Sequence, residues 1–279
     1  MSRIHSLFPH TKISGYAVPI RWFCASILLV FSPGLFAASF TQARPITTFS
    51  VAQLFSQGDY GLDVETKMSA TVFKIAHRSR IWGASVSVPY LSITGPATAI
   101  YEDIDTGELF LVDIDDEQRS GIGDTVFSLD RVVWKNRRTG QKLSLGAAIK
   151  LPTGDKDQRL SSGKADGSFF AKGRIRKHRN ILSGQLGYQV MGDTEFTDYN
   201  NRFFFTASLF HFVNRRWGVG GSLRFKQASL DDRQDQRSAS VFMTRKFRKT
   251  WSLALRFNRG LTDAVADSSA ALVLSYQKR

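Results

Sequence analysis

The chain has 279 residues, 38 Lys and Arg against 24 Asp and Glu, a formal net charge of +14 and a single cysteine. One cysteine excludes a disulfide framework. Past the first 37 residues no segment approaches the roughly eighteen apolar residues of a spanning helix, so any crossing of a membrane falls to strands.

Residues 1–37 carry Arg3, Lys12 and Arg21 and no acid. An apolar run, Trp22 to Phe31, leads to Ser32-Pro33-Gly34 and to the small residues Ala37 and Ala38. This is the pattern of a cleaved secretory signal peptide. The apolar run is about half as long as an anchor needs. Cys24 leaves with it, and no small residue precedes Cys24 to make it a lipid-attachment site. The remainder, 38–279, reads as one domain. Export argues against nucleic acid as a partner, although a basic chain can mark one.

From Leu62 onward the chain repeats a unit of about ten residues in which polar and apolar side chains alternate, the period of a strand with two unlike faces. The weaker alternation of Ile46–Phe55 supplies a first strand. Leu62–Ile75 follows, with Asp63, Glu65, Lys67, Ser69 and Thr71 on one face and Leu62, Val64, Met68, Ala70 and Val72 on the other. After Arg78-Ser79-Arg80 comes Ile81–Thr94, then a long loop over about 95–122. Gly123–Trp134 and Lys142–Thr153 flank a short turn, and a second loop spans about 154–166. Gly167–Arg176 with Ile181–Met191, Phe203–Phe212 with Trp217–Gln227, and Ser238–Phe247 with Trp251–Leu261 are three hairpins. Ser268–Gln277 closes the series. The pattern predicts an all-β fold: a single antiparallel up-and-down transmembrane β-barrel of about twelve strands, in the bacterial outer membrane.

Short turns belong to the periplasmic side of such barrels and long loops to the outside. Here the short turns are basic (Arg78, Arg80, Arg137, Arg138, Lys177, Arg179, Arg215, Arg216, Arg248, Lys249) and the long loops acidic (Asp103, Asp113, Asp115, Asp155, Asp193, Asp231). Loop acids could hold divalent ions that bridge lipopolysaccharide, or they are simply solvated. Trp82, Trp134, Trp217 and Trp251 each sit beside a short turn, as an aromatic belt would. Outer-membrane lipid, lipopolysaccharide and the barrel-assembly machinery are the partners this architecture implies.

The face opposite the large apolar residues is the expected lumen. Asp63, Glu65, Lys67, Asp130, Lys150, Lys172, Arg174, Arg224, Lys226 and Arg256 are the expected pore-lining residues, with Lys150 through Arg256 as a basic wall and Asp63, Glu65 and Asp130 opposing it. So many charges do not sit in an apolar core unpaired. They line water, which gives a channel favouring anions, or they pair across strands and fill the barrel.

Several motifs then carry a resemblance. Val88-Pro89-Tyr90-Leu91-Ser92-Ile93-Thr94-Gly95-Pro96, Gly121-Ile122-Gly123-Asp124, Lys150-Leu151-Pro152-Thr153-Gly154-Asp155, Ser162-Gly163-Lys164-Ala165-Asp166 and Gly187-Tyr188-Gln189-Val190-Met191-Gly192-Asp193 resemble elements of the outer-membrane barrels labelled after a MetA pathway of phenol degradation. The resemblance covers about 60–279. It implies a barrel of about twelve strands that passes small, often aromatic or hydrophobic, solutes across the outer membrane. The chain departs from the family in placing Gln277-Lys278-Arg279 after Tyr276, where an aromatic end is usual. On their own chemistry, Pro89 suits a strand end or a bulge and Pro152 a strand end, and Asp124, Asp155, Asp166 and Asp193 read as turn acids bonding nearby N–H groups or as acids lining a mouth. Gly121, Gly123, Gly154, Gly163 and Gly192 read as glycines for unusual backbone angles.

No serine–histidine–acid arrangement and no metal-ligand spacing appears, so the expectation is neither an enzyme nor a cofactor protein. It is a channel or transporter for small-molecule solutes through a charged lumen, with a structural or secretion-associated barrel and plugged lumen as the alternative.

Overall fold

A strand with one apolar face satisfies its backbone in lipid only when its sheet closes on itself. The computed structural model shows that closure. It describes residues 45–60, 65–95, 99–102, 109–112, 118–155, 158, 160–161, 163–192, 199–230 and 233–278, and for 99–102 and 109–112 the backbone alone. The expected signal peptide, Asp63 and most of the loop acids lie outside these residues.

Among the described residues fifteen strands follow in order: β1 (Ile46–Gly58), β2 (Thr66–Arg78), β3 (Trp82–Thr94), β4 (Ala99–Glu102), β5 (Leu109–Val112), β6 (Arg119–Ile122), β7 (Thr125–Asn136), β8 (Gln141–Leu151), β9 (Asp166–Lys177), β10 (Asn180–Val190), β11 (Arg202–Phe212), β12 (Trp217–Lys226), β13 (Gln236–Phe247), β14 (Trp251–Gly260) and β15 (Ser268–Lys278). Wall neighbours are antiparallel, and β15 pairs back onto β1 from Thr47↔Lys278 to Gln57↔Ser268. β6 and β7 both pair with β3 and act as one wall strand. With β4 and β5 set apart as their own hairpin, the barrel has twelve strands. The stretch 95–122, expected as one loop, contains that hairpin and β6, because four-residue strands are too short to register an alternation.

Alternation sorts the two faces. Leu223 is 60% and Val241 63% exposed, and Phe49, Val51, Phe55, Leu145, Leu186, Leu209, Phe257 and Leu272 join them on the outer surface. An apolar belt of this extent has no place in water and is what lipid covers. The tryptophans sit at its edge beside the short turns. A β-bulge between Val132 and Trp134 resets the register so that Trp134 stands opposite Leu143 on the outer face. Arg131 Cζ lies 5.3 Å from the Trp82 ring and Arg245 Cζ 5.0 Å from the Trp217 ring.

One strand reverses the expectation. On β2 the inner face holds Thr66, Met68, Ala70, Val72 and Lys74, and Phe73 and Ile75 face out. Met68, Ala70 and Val72 pack inside the barrel with Ala52, Leu54, Leu91, Ile93, Leu160 and Ala271. The reason is local: the lumen beside β1, β2 and β3 is itself apolar, so the rule that large apolar residues face lipid misreads this strand by one residue.

Candidate functional site

Basic side chains collect on the inner face. Lys74 and Arg78 come from β2, Lys142 and Lys150 from β8, Lys172, Arg174 and Arg176 from β9, Arg202 from β11, Arg224 and Lys226 from β12, and Arg256 from β14. The inner-face acids among the described residues of these walls are Asp124, Asp130 and Asp166. Among the described residues, bases therefore outnumber acids severalfold on the inner face.

The mouth at the long-loop end is built by the motifs. Between the β3–β7 register (Ser87↔Val126) and the β3–β6 register (Tyr90↔Ile122) two residues face three. This bulge is one of the devices that re-aim a side chain, and it turns Asp124 inward, where it is fully buried. Lys150 Nζ lies 2.7 Å from Asp166 Oδ2 and 3.5 Å from Asp124 Oδ2, with all three side chains at most 3% exposed. Gly154 N–H donates to Asp124 Oδ1 (3.0 Å) and Gly192 N–H to Asp166 Oδ1 (2.9 Å). Both acids thus bond backbone N–H groups, as expected for turn acids, but across 26 to 30 residues of sequence. They tie together the β6–β7 break and the ends of β8, β9 and β10. Asp155 Oδ1 accepts the N–H of Gln158 at 3.1 Å, a true local turn. Asp193 lies outside the described residues.

Beside this triad, the described residues between β8 and β9 are held by further bonds. Asp155 N–H donates to Ile122 O and Leu160 N–H to Asp155 O. Leu160 is fully buried against the Leu91 and Ile93 cluster. The motif glycines are explained by room rather than by angle. Of the five, Gly163 alone has a positive φ (70°). A Cβ on Gly123 would stand 2.9 Å from Leu91 Cδ1, one on Gly154 2.9 Å from Leu160 O, and one on Gly192 2.6 Å from Ala165 O.

Deeper in the barrel, inward phenylalanines lie over inward glycines of the neighbouring strand. Phe170 covers Gly146, Phe204 covers Gly187, Phe210 covers Gly218 and Phe242 covers Gly220; a Cβ on any of these glycines would fall 2.1 to 2.5 Å from the ring. The rings are thereby held flat on the wall, and cations sit on them: Lys172 Nζ is 4.3 Å from the Phe170 ring and Arg256 Cζ 5.1 Å from the Phe242 ring, within cation–π range. Gly187→Val should push the Phe204 ring off the wall. We expect the variant to lose about 1–3 kcal/mol by overpacking and to conduct less than the parent in a planar bilayer. An unchanged urea midpoint would show that the ring has another place to lie.

The expected lining residues divide. Asp130, Lys150, Lys172, Arg174, Arg224, Lys226 and Arg256 are on the inner face, although Lys150 is sealed between two carboxylates. Glu65 and Lys67 are not inside: Lys67 Nζ meets Glu65 Oε2 at 3.3 Å on the exposed outer surface, as the one-residue reversal of β2 dictates. Asp63 lies outside the described residues. An opposing acidic wall is not formed by these residues, since Asp130 sits among bases, 3.8 Å from Arg78. Sequence reasoning missed Lys74, on the misread strand, and Arg202. Arg202 Nε donates to Gln189 Oε1 at 3.1 Å, and the side chain is almost wholly buried. It stands directly opposite Gln189 on the inner face, so its parity with Phe204 and Thr206 was the usable signal.

A closed twelve-stranded wall, an apolar outer belt and a charged interior define an outer-membrane β-barrel. The chain belongs to the family described as MetA-pathway of phenol degradation, whose model matches residues 48–277. Among solved structures it is similar to the NanC porin (TM-score 0.54, 10% identity, covering 82% of this chain and 98% of that one) and to the KdgM porin (TM-score 0.51, 12% identity, 83% and 99%). A sequence search of curated proteins finds no match.

Proposed function

We propose that this protein is a passive channel of the bacterial outer membrane that favours anions and passes small solutes. The observation that carries this reading is the excess of bases over acids on the inner face from β8 to β14. A positive lumen raises the local concentration of anions. The porin names of the structural neighbours agree with it. The family's description points to small aromatic compounds as cargo, and the flat phenylalanine faces inside the wall suit such rings.

The test is conductance of the refolded barrel in a planar bilayer under a salt gradient. Steady current with an anion-selective reversal potential is expected. A folded barrel that stays silent would favour the second reading, a plugged structural or secretion-associated barrel. The observation behind that reading is the burial of Leu160 and of the Asp124–Lys150–Asp166 triad in the outer mouth.

A further inference from the structure

The inner-face register places like charges directly opposite one another. Lys135 of β7 pairs with Lys142 of β8, and Lys142 pairs with Arg174 of β9. Three cations therefore form a ladder across three adjacent strands, close to the turn Asn136–Gln141. Directly opposed like charges destabilise a sheet. More positive charge faces them: Lys172 is within electrostatic reach of Lys74, Arg78 and Lys142, and Arg174 of Arg78 and Arg176. Asp130 is an acid whose charge acts on both Lys142 and Lys172. Its carboxylate is held against the wall: a Cβ on Gly83 would stand 2.7 Å from Asp130 Oδ1. Among the described inner-face residues at this end the bases outnumber the acids, and a concentration of positive charge draws anions from solution.

We propose that the ladder Lys135–Lys142–Arg174, with Lys74, Arg78 and Lys172 around Asp130, is a binding site for small dicarboxylates at the periplasmic end of the lumen. This deepens the channel reading and rests on it. Two carboxylates match the layout better than one. One end engages the Arg174 fork, which takes a carboxylate in two parallel hydrogen bonds, and the other reaches the lysines across the lumen. The attraction grows with the valence of the solute, so dianions are held in preference to monoanions. A solute entering from outside meets this site last, at the exit.

The refolded barrel is tested in a planar bilayer at neutral pH with phthalate, a dianion, and benzoate, its monoanionic counterpart, as blockers of chloride current. Phthalate should half-block at a concentration at least about tenfold below benzoate, which corresponds to roughly 1.4 kcal/mol. Lys142→Gln with Arg174→Gln should abolish that difference. Because the double variant removes repulsion, its urea midpoint should stay level or rise, which separates loss of the site from loss of the fold. An anion-selective channel blocked equally by both compounds overturns the site and leaves the channel standing. For a silent barrel, equilibrium dialysis of labelled phthalate against the detergent-folded protein decides: binding that is lost in the double variant supports the site while the channel reading fails, and no binding overturns both.

Discussion

Lys150→Met should destabilise the barrel by about 3–5 kcal/mol, the cost of removing one partner from a buried ion pair, and free the segment between β8 and β9. The side chains of Asp124 and Asp166 are 0% and 2% exposed, so the variant strands two carboxylates without the ammonium group that offsets their burial. Methionine keeps the length and loses the charge. The loss should appear as a lower urea midpoint and as protease cleavage between Pro152 and Ala165. Single-channel conductance should rise as Leu160 leaves its place against Leu91 and Ile93. Adding Asp124→Asn and Asp166→Asn to Lys150→Met removes the stranded charges and should recover much of the stability, because an apolar or neutral replacement of a whole buried network is often tolerated. If Lys150→Met unfolds at the parent's urea concentration, the triad does not hold the mouth.

The second large effect is electrical. Arg174→Glu with Arg224→Glu changes the inner-face charge by four units. A unit charge about 10 Å from a permeating ion contributes roughly 1.7 kcal/mol at an effective dielectric constant near 20. Screening over a Debye length of about 10 Å reduces this to roughly 0.6 kcal/mol. Four units then shift the cation-to-anion permeability ratio by more than about tenfold, enough to reverse the sign of the zero-current potential in a KCl gradient. The fold should survive, since Glu at 174 would face Lys142 directly across the β8–β9 pair. The shift should fade near 1 M salt, where the Debye length falls to about 3 Å. Selectivity unchanged at low salt would remove both arginines from the conduction path.

Strand positions were legible wherever lipid and lumen demand opposite chemistry. On β8, Leu143, Leu145 and Ile149 face out and Ser144, Ala148 and Lys150 face in, and alternation alone is enough to say so. It failed on β2 because Met68, Ala70 and Val72 are as apolar as Phe73 and Ile75, so nothing in the pattern says which set meets lipid. The motif residues could be recognised but not assembled: Asp124, Lys150 and Asp166 are far apart in sequence, and the bulge that aims Asp124 inward depends on a register with β3 that no local pattern encodes. Nor does a lone glycine declare whether it answers a backbone angle or a ring. Gly146 and Gly187 became interpretable once Phe170 and Phe204 were seen to lie on them.

The seam between β1 and β15 sets a condition on how the molecule is made. Every other wall contact joins strands close in sequence, the widest gap being the stretch 95–118 between β3 and β6. The seam joins Ser50 to Ser275, 225 residues apart, through hydroxyl groups 3.0 Å from each other. Until it forms, two long edges expose unpaired backbone groups, one at each end of a curled sheet, and each is a template for a strand of another chain. Closure of the ring is then the committed step of assembly. A chain lacking β15 would face a choice between an open sheet in lipid, which the backbone does not tolerate, and pairing with a second copy.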